Sequence, residues 1–340
     1  MAFFKKVACF TDIHFGMKGN SRVHNDDCEA FIYWFIEQAK AHDCETCIFL
    51  GDWHHHRAST NVSTMNYTVS NMERLGKAFE KVYVVMGNHD LFYREKREIN
   101  SMEFIRNIPN IRLVNEWLVE DDVAIIPWIV GDEWKKIEKM KQQYVFGHFE
   151  LPYFKMNAMV EMPDVGGIQT DHFAGCDQVF SGHFHKRQQM KNVTYMGNAF
   201  PHNYADAWDD DRGMMIIEYG GKPKYINWPD MPRYITIKVS ELLEDPDKYL
   251  KPKMYVRVTL DIKISYEEAN FVRETFIDKY KLRELQLIPE QVDNAQQPTV
   301  EVQKFDSVDQ IVIKQLQGVD SETYDKNILT AIYNDLDVTS

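Results

Sequence analysis

The stretch VACFTDIH, residues 7–14, is decisive for the fold, because a short apolar run ends directly on polar side chains. The same arrangement returns four times, in CIFLGD (47–52), VYVVMGNHD (82–90), YVFGH (144–148) and QVFSGHFH (178–185). Short apolar runs that end at such residues are typical of buried strands. The sequence therefore predicts a series of buried strands whose carboxyl ends carry Asp, Asn and His.

Two helical patterns separate the first three of these strands. In residues 26–42, Phe31, Trp34, Phe35 and Ala39 follow helical spacing, and a second helical stretch covers residues 59–81. The order β-α-β-α-β predicts an α/β fold, a layered sheet with its functional loops at the carboxyl ends of the strands. Residues 123–128 and 193–228 are richer in strand than in helix, which favours a second sheet packed on the first.

Length, composition and charge limit the classes of protein that the chain can belong to. The 340 residues are 44% hydrophobic and 27% charged, and no apolar run approaches the ~18 residues that span a bilayer. The first ten residues contain no apolar signal region, and five dispersed cysteines fit a reducing compartment, so a cytoplasmic location is expected. Cys44 and Cys47 could form half of a zinc site, but core packing is the favoured interpretation. The net charge of -13 disfavours a chain that holds nucleic acid alone.

The remainder of the chain predicts smaller units after a first domain at residues 1–230. Residues 256–264 alternate strictly, Ser265 and Glu268 form a capping box, and residues 285–288 return as a strand, which together predict a βαβ domain at 233–290. A polar linker is expected at 291–304, and two helical segments at 305–340. Their apolar stripes would either fold back on this chain or dock on a partner, and the sequence favours neither.

The five strand ends together indicate a metal centre, although each motif alone is weak. Two divalent cations ~3.5 to 4 Å apart repel each other and need an anionic bridge, for which Asp52 is the candidate. A ligand set of imidazoles and carboxylates suits Mn²⁺, Fe or Zn²⁺, whereas Mg²⁺ prefers oxygen ligands almost exclusively. Two divalent ions, with Mn²⁺ first among them, are therefore the expected cofactors.

The ordered set of motifs resembles the calcineurin-like metallophosphoesterase superfamily across residues 12–185. The resemblance implies a two-sheet sandwich flanked by helices, with two metal positions that share Asp52. Carried over by position, the first metal would be held by Asp12, His14, Asp52 and His185, and the second by Asp52, Asn88, His148 and His183. His89 matches the catalytic histidine, with Asp90 expected to orient it and His55 as a further candidate beside it.

Within that superfamily, the chain most resembles the nuclease subunits of SbcCD-type DNA double-strand-break repair complexes, especially the short bacteriophage recombination endonuclease form. The shared features are Gly51-Asp52 followed by His55 and Arg57, and the segments IPW (126–128), GHFE (147–150) and SGHFH (181–185). This resemblance implies a DNA exonuclease or endonuclease with a two-metal mechanism. It also implies a cap domain that positions DNA, terminal helices that dock on a coiled-coil ABC-type ATPase, and a homodimer as one possible assembly. A phage origin would place the protein in the host cytoplasm. The processes that the resemblance implies are DNA repair, recombination and replication.

Some positions depart from the family pattern. Trp53 and His54 replace an aliphatic residue and Phe, and residues 197–199 read Gly-Asn-Ala. His54 and His56 are expected to be solvated side chains beside the site. Two alternatives stay open: a phosphoesterase for another substrate (a cyclic nucleotide, a dinucleotide, another small molecule or a phosphoprotein), and a non-catalytic scaffold. The scaffold is disfavoured because all eight expected positions hold competent residues.

Overall fold

The computed structural model of the protein describes residues 2–156 and 160–289. Within these residues the strands are β1 (Lys6–Phe10), β2 (Thr46–Phe49), β3 (Lys81–Val85), β4 (Leu91–Tyr93), β5 (Lys96–Asn100), β6 (Ile111–Val114), β7 (Leu118–Glu120), β8 (Val123–Ile126), β9 (Tyr144–His148), β10 (Gln178–Gly182), β11 (Gln188–Met190), β12 (Val193–Tyr195), β13 (Gly213–Glu218), β14 (Lys224–Asn227), β15 (Tyr234–Lys238), β16 (Tyr255–Leu260) and β17 (Glu284–Pro289). The helices are α1 (Met17–Asn20), α2 (Arg22–Ala41), α3 (Val62–Ala78), α4 (Val239–Glu244), α5 (Pro246–Tyr249) and α6 (Tyr266–Tyr280).

Two six-stranded sheets contain twelve of the seventeen strands in the described residues. The strand order is β14-β13-β1-β2-β3-β6 in the first sheet and β11-β12-β10-β9-β8-β7 in the second. β1, β2, β3 and β6 run parallel, as do β8, β9, β10 and β12, whereas β7, β11, β13 and β14 pair antiparallel. Parallel strands are buried on both faces, which explains why their sequences are continuous apolar runs rather than alternating ones.

The two sheets pack face to face. Val7 and Ile48 from the first sheet share a buried cluster with Phe146 and Phe180 from the second. Helices α2 and α3 cover the outer face of the first sheet, where Phe31 and Phe35 pack on Phe10. This arrangement confirms the expected α/β sandwich of two sheets flanked by helices.

Helices α2 and α3 each begin directly after a residue whose side chain caps the helix, and not at the limits expected from apolar spacing. α2 begins at Arg22, four residues earlier than expected, because the Ser21 side chain accepts a hydrogen bond from the backbone N–H of His24. α3 begins at Val62, because the side chain of the preceding Asn61 accepts a hydrogen bond from the backbone N–H of Ser63. None of the helices in the described ranges combines the length and apolar character needed to cross a bilayer.

A separate parallel sheet, in the order β15-β16-β17, follows the sandwich. Its buried side chains, including Ile235, Val256 and Leu285, pack with Leu242 of α4. The expected capping box is confirmed at the start of α6. The division into a first domain at 1–230 and a second at 233–290 stays a prediction, and the expected linker and terminal helices at 291–340 lie outside the described residues.

Candidate metal centre

The expected site residues lie where the carboxyl ends of parallel strands from both sheets meet. Asp12 and His14 follow β1, Asp52 follows β2 and Asn88 follows β3. From the second sheet, His148 ends β9, and His183 and His185 follow β10. Since neighbouring parallel strands end at the same edge, residues far apart in sequence are brought to one place.

Glycine allows this close approach at two positions. A Cβ atom on Gly182 would lie 2.1 Å from Oγ1 of Thr11 and 2.7 Å from the carbonyl oxygen of Leu50. One on Gly87 would lie 2.2 Å from Oδ1 of Asp52. Real Cβ contacts are never so short, so a larger residue at either position would push the strand ends apart.

The first group of potential ligands consists of Asp12, His14 and His185, whose donor atoms all lie within 4.8 Å of one another. Nε2 of His14 lies 3.9 Å from Oδ1 of Asp12, and Nε2 of His185 lies 4.0 Å from the same oxygen. These separations exceed a hydrogen bond but match two ligands on one ion, because bonds of about 2.0–2.2 Å place neighbouring ligand atoms roughly 3–4 Å apart.

The second group consists of Asp52, His148 and His183, again within 4.8 Å. Oδ2 of Asp52 lies 3.4 Å from Nε2 of His148 and 3.8 Å from Nε2 of His14, so it stands between the two groups. Oδ1 of Asn88 lies 3.1 Å from Nε2 of His148 and 2.9 Å from Nδ1 of His183. All seven expected metal ligands are thus brought together, with Asp52 between the two groups.

The buried polar atoms of the site fit divalent cations. Both ring nitrogens of His14 are buried without a hydrogen-bond partner, which is costly unless another group satisfies them. Burial lowers the pKa of His14 well below its usual value, so the ring is neutral and can donate an electron pair to a metal. Burial by itself raises the pKa of Asp52, but the surrounding His148, His89 and His14 imidazoles together outweigh that effect and hold the pKa well below its usual range. Asp52 is therefore an anion, as a bridging ligand must be.

His89 lies at the edge of this site, and its orientation comes from a partner that differs from the expected one. Its Nδ1 lies 2.7 Å from the carbonyl oxygen of His55, and the two rings stack with their centroids 5.5 Å apart. The Asp90 carboxylate instead accepts hydrogen bonds from backbone N–H groups of residues 52, 53, 54 and 87. The expectation that Asp90 orients His89 is therefore wrong: Asp90 holds the loop that carries Asp52, and His55 orients His89.

The two departures from the family pattern at positions 53 and 54 are buried. Trp53 is 0% exposed and His54 is 1% exposed. The expectation of a solvated His54 is wrong, because its ring bonds Oγ of Ser101 at 2.7 Å and Oγ1 of Thr68 at 3.0 Å. His56 is exposed, as expected. These two substitutions therefore change the packing beneath the site and not its outer rim.

Sequence reasoning missed three residues that contact the expected ligands. Oε1 of Glu150 lies 3.2 Å from Nε2 of His183 and also accepts a 2.6 Å bond from Arg94. Glu150 is two positions after His148, and residues two apart share a face in extended chain, which could have indicated it. His24 and His202 bond the backbone carbonyls of His14 and Asp12. No motif marks them, because contacts to backbone carbonyls, which every residue has, leave no spacing pattern in the sequence.

Comparisons with known proteins agree with this geometry. The family model described as calcineurin-like phosphoesterase matches residues 5–187, more than half of the chain. "Exonuclease subunit 1" of Enterobacteria phage T4 is 25% identical over 222 residues, which are 63% of this chain and 64% of that protein. The chain thus matches less than two thirds of that relative's length.

Two solved structures resemble the chain weakly. The nuclease MPE of Pseudomonas putida is 17% identical, with a TM-score of 0.31, over 64% of this chain and 87% of that one. A dimetal phosphatase from Danio rerio is 11% identical, with a TM-score of 0.40, over 62% of this chain and 91% of that one.

The protein belongs to the calcineurin-like phosphoesterase family. Its clustered His and Asp side chains could hold metal ions, and a curated relative from phage T4 is described as exonuclease subunit 1.

Proposed function

We propose that the protein is the nuclease subunit of a DNA-processing complex and hydrolyses phosphodiester bonds with two divalent ions. The observation that carries this proposal is the pair of ligand groups on either side of Asp52, whose Oδ2 lies 3.8 Å from His14 and 3.4 Å from His148. A carboxylate between two such groups fits a pair of ions, and paired ions suit in-line displacement at phosphorus.

Each ion would have four ligands, and Asp52 would be shared by both ions. The first set is Asp12, His14, Asp52 and His185, and the second is Asp52, Asn88, His148 and His183. With four imidazoles among the ligands, Mn²⁺, Fe or Zn²⁺ fits better than Mg²⁺, and Mn²⁺ is our choice. When bound, such ions polarise the phosphoryl group and activate water as the nucleophile.

His89 would act as the proton donor to the leaving oxygen. Its Nδ1 donates to the carbonyl oxygen of His55, so the protonated ring carries its transferable proton on Nε2. The stacked His55 ring and the fixed carbonyl limit rotation of the imidazole. Holding the donor in one orientation lowers the entropy that the reaction must lose.

A DNA substrate and an ATPase partner are proposed from the relative rather than from this site. The T4 relative is an exonuclease and a subunit, which supports a nuclease that works within an assembly. The net charge of -13 favours a partner that supplies most of the DNA-binding surface. We propose a coiled-coil ABC-type ATPase, docked through residues 305–340, acting in recombination, repair and replication in the host cytoplasm. A homodimer of the nuclease is compatible with this assembly.

The test is cleavage of end-labelled duplex and single-stranded DNA with Mn²⁺ or Mg²⁺, with and without the ATPase partner. His89→Ala should lose at least about 100-fold in rate, the loss that accompanies removal of a general acid. His172→Ala is the matched control, because that ring contacts Glu138 outside the site. Intact DNA together with hydrolysis of bis(p-nitrophenyl) phosphate would instead favour a small-molecule phosphodiesterase.

A further inference from the structure

Two buried histidines outside the proposed ligand set contact the backbone of two ligands. Nε2 of His202 lies 2.8 Å from the carbonyl oxygen of Asp12, and Nε2 of His24 lies 3.0 Å from that of His14. His202 is 0% exposed and His24 is 2% exposed. Their rings also touch each other, with centroids 5.5 Å apart. The backbone after β1 is therefore held by one side chain from the helix that follows it, α2, and by one that is 190 residues away in sequence.

That backbone has a conformation that non-glycine residues rarely adopt. Asp12 has φ 50° and His14 has φ 53°, both in the left-handed region. L-residues with a Cβ atom disfavour this region, and they stay in it only when surrounding contacts fix them there. This left-handed conformation lets the side chains of Asp12 and His14, which come from one short loop, both lie in the first ligand group.

The protonation of the two rings is set by their surroundings. In each ring Nε2 points at a backbone carbonyl oxygen, which can only accept a hydrogen bond. Nε2 therefore carries a proton in each ring. Both imidazoles are thus fixed as donors to the backbone.

His202 is itself anchored from the other side. Its backbone N–H donates to Oδ2 of Asp206 at 2.9 Å, and Oδ1 of Asp206 accepts from Arg212 at 3.2 Å. Arg212 is 1% exposed and also pairs with Asp209 at 2.9 Å. A buried ion pair that holds the donor in place gives the loop of Asp12 a rigid support.

We propose that His24 and His202 are positioning residues, which hold Asp12 and His14 in the left-handed conformation that the first metal position requires without ligating the metal themselves. The inference rests on the proposed two-metal function. Partners behind a ligand fix its geometry, and their loss typically weakens metal binding by about 10- to 100-fold.

The experiment titrates MnCl₂ calorimetrically into metal-free wild type, His202→Phe, His202→Gln and His24→Phe. Phe keeps a planar ring, somewhat larger than imidazole, and removes the donor, whereas Gln keeps an N–H donor. We expect two ions per chain in every variant, with one dissociation constant raised by about 10- to 100-fold in the Phe variants and partly restored by Gln. His42→Phe is the matched control. His42 lies one residue past the far end of α2, where its ring bonds the carbonyl oxygen of Gln38 at 2.9 Å.

Hydrogen exchange in EDTA reads the same role without metal. The backbone N–H groups of Asp12, His14 and Phe15 bond to the carbonyls of Gly51, Asp52 and Trp53. These amides should exchange faster in the two Phe variants and at the wild-type rate in His42→Phe. Unchanged exchange with unchanged Mn²⁺ affinity would overturn the inference, and so would a drop to one ion per chain in His202→Phe, which would make His202 a ligand. Wild type that binds no Mn²⁺ would contradict the proposed function, and exchange alone would then decide whether the imidazoles hold the loop.

Discussion

Oδ2 of Asp52 lies 3.4 Å from Nε2 of His148, and both side chains are buried. The Asp52 carboxylate raises the pKa of His148 to about 9 despite the opposing effect of burial. In the metal-free protein the imidazole is therefore a cation that balances the carboxylate. A metal bound at this position would replace the proton of His148, so the same pair of residues would suit both states.

Replacing Asp52 by Asn should abolish function, because an amide has neither the charge nor the second anionic oxygen that a bridge between two cations needs. We expect Mn²⁺ affinity and phosphodiester hydrolysis each to fall by at least about 100-fold. Calorimetry and a cleavage assay measure the two effects. The exposed Asp43→Asn is the control, and a variant of Asp52 with wild-type affinity would exclude it as the bridge.

Removal and return of metal should change thermal stability. An ion that binds only the folded state, at a concentration 100 times its dissociation constant, adds about 2.7 kcal/mol to the free energy of unfolding. For a domain of roughly 150 to 250 residues this corresponds to a rise of about 5 to 10 °C in Tm. Scanning calorimetry of EDTA-treated protein with added Mn²⁺ should show this rise, and Mg²⁺ at equal concentration should give a smaller one. Equal shifts for both ions would contradict the role given to the imidazole ligands.

Glu150 should support the second metal position through His183. Glu150→Ala removes the acceptor that lies 3.2 Å from Nε2 of His183, so we expect Mn²⁺ affinity to fall by about 10-fold, and Glu150→Gln to lose less because it keeps an acceptor oxygen. Glu138→Ala removes a similar carboxylate–imidazole contact, with His172 at 3.5 Å, outside the site. If both alanine variants weaken Mn²⁺ binding equally, the effect of Glu150 is not specific.

His54 should make the metal-free protein less stable in mild acid. Burial lowers the pKa of His54 to about 4, whereas the unfolded ring has a pKa near its ordinary value of 6.5. Between these values the unfolded state binds a proton that the folded state does not, so the free energy of unfolding falls as the pH falls from about 6.5 to about 4. The slope from this residue is at most about 1.4 kcal/mol per pH unit.

Urea unfolding in EDTA at several pH values measures this slope. His54→Gln, which can still bond to Ser101 and Thr68, should have a flatter dependence in that range and match the wild-type shape above about pH 7. An identical slope in both proteins would show that His54 does not titrate on unfolding.

The sequence by itself determined the sandwich and the places of the expected ligands at the strand ends. Apolar runs such as 7–10 and 178–180 lie in buried parallel strands, and the polar residues that follow them fall at one edge because parallel strands end together. This pattern involves residues that are neighbours in the chain, so it is visible in the sequence without the structure. The resemblance to the phosphoesterase family rested on the same strand ends.

Only the tertiary structure decided which groups support those ligands. The carbonyl of His55 orients His89, Asp90 binds backbone N–H groups, and His202 reaches Asp12 across 190 residues of sequence. It also decided that His54 is buried. Such contacts involve backbone atoms, which every residue has, and their partners are chosen by how loops from two sheets pack. No residue type or spacing records that choice, so it cannot be read before the chain is folded.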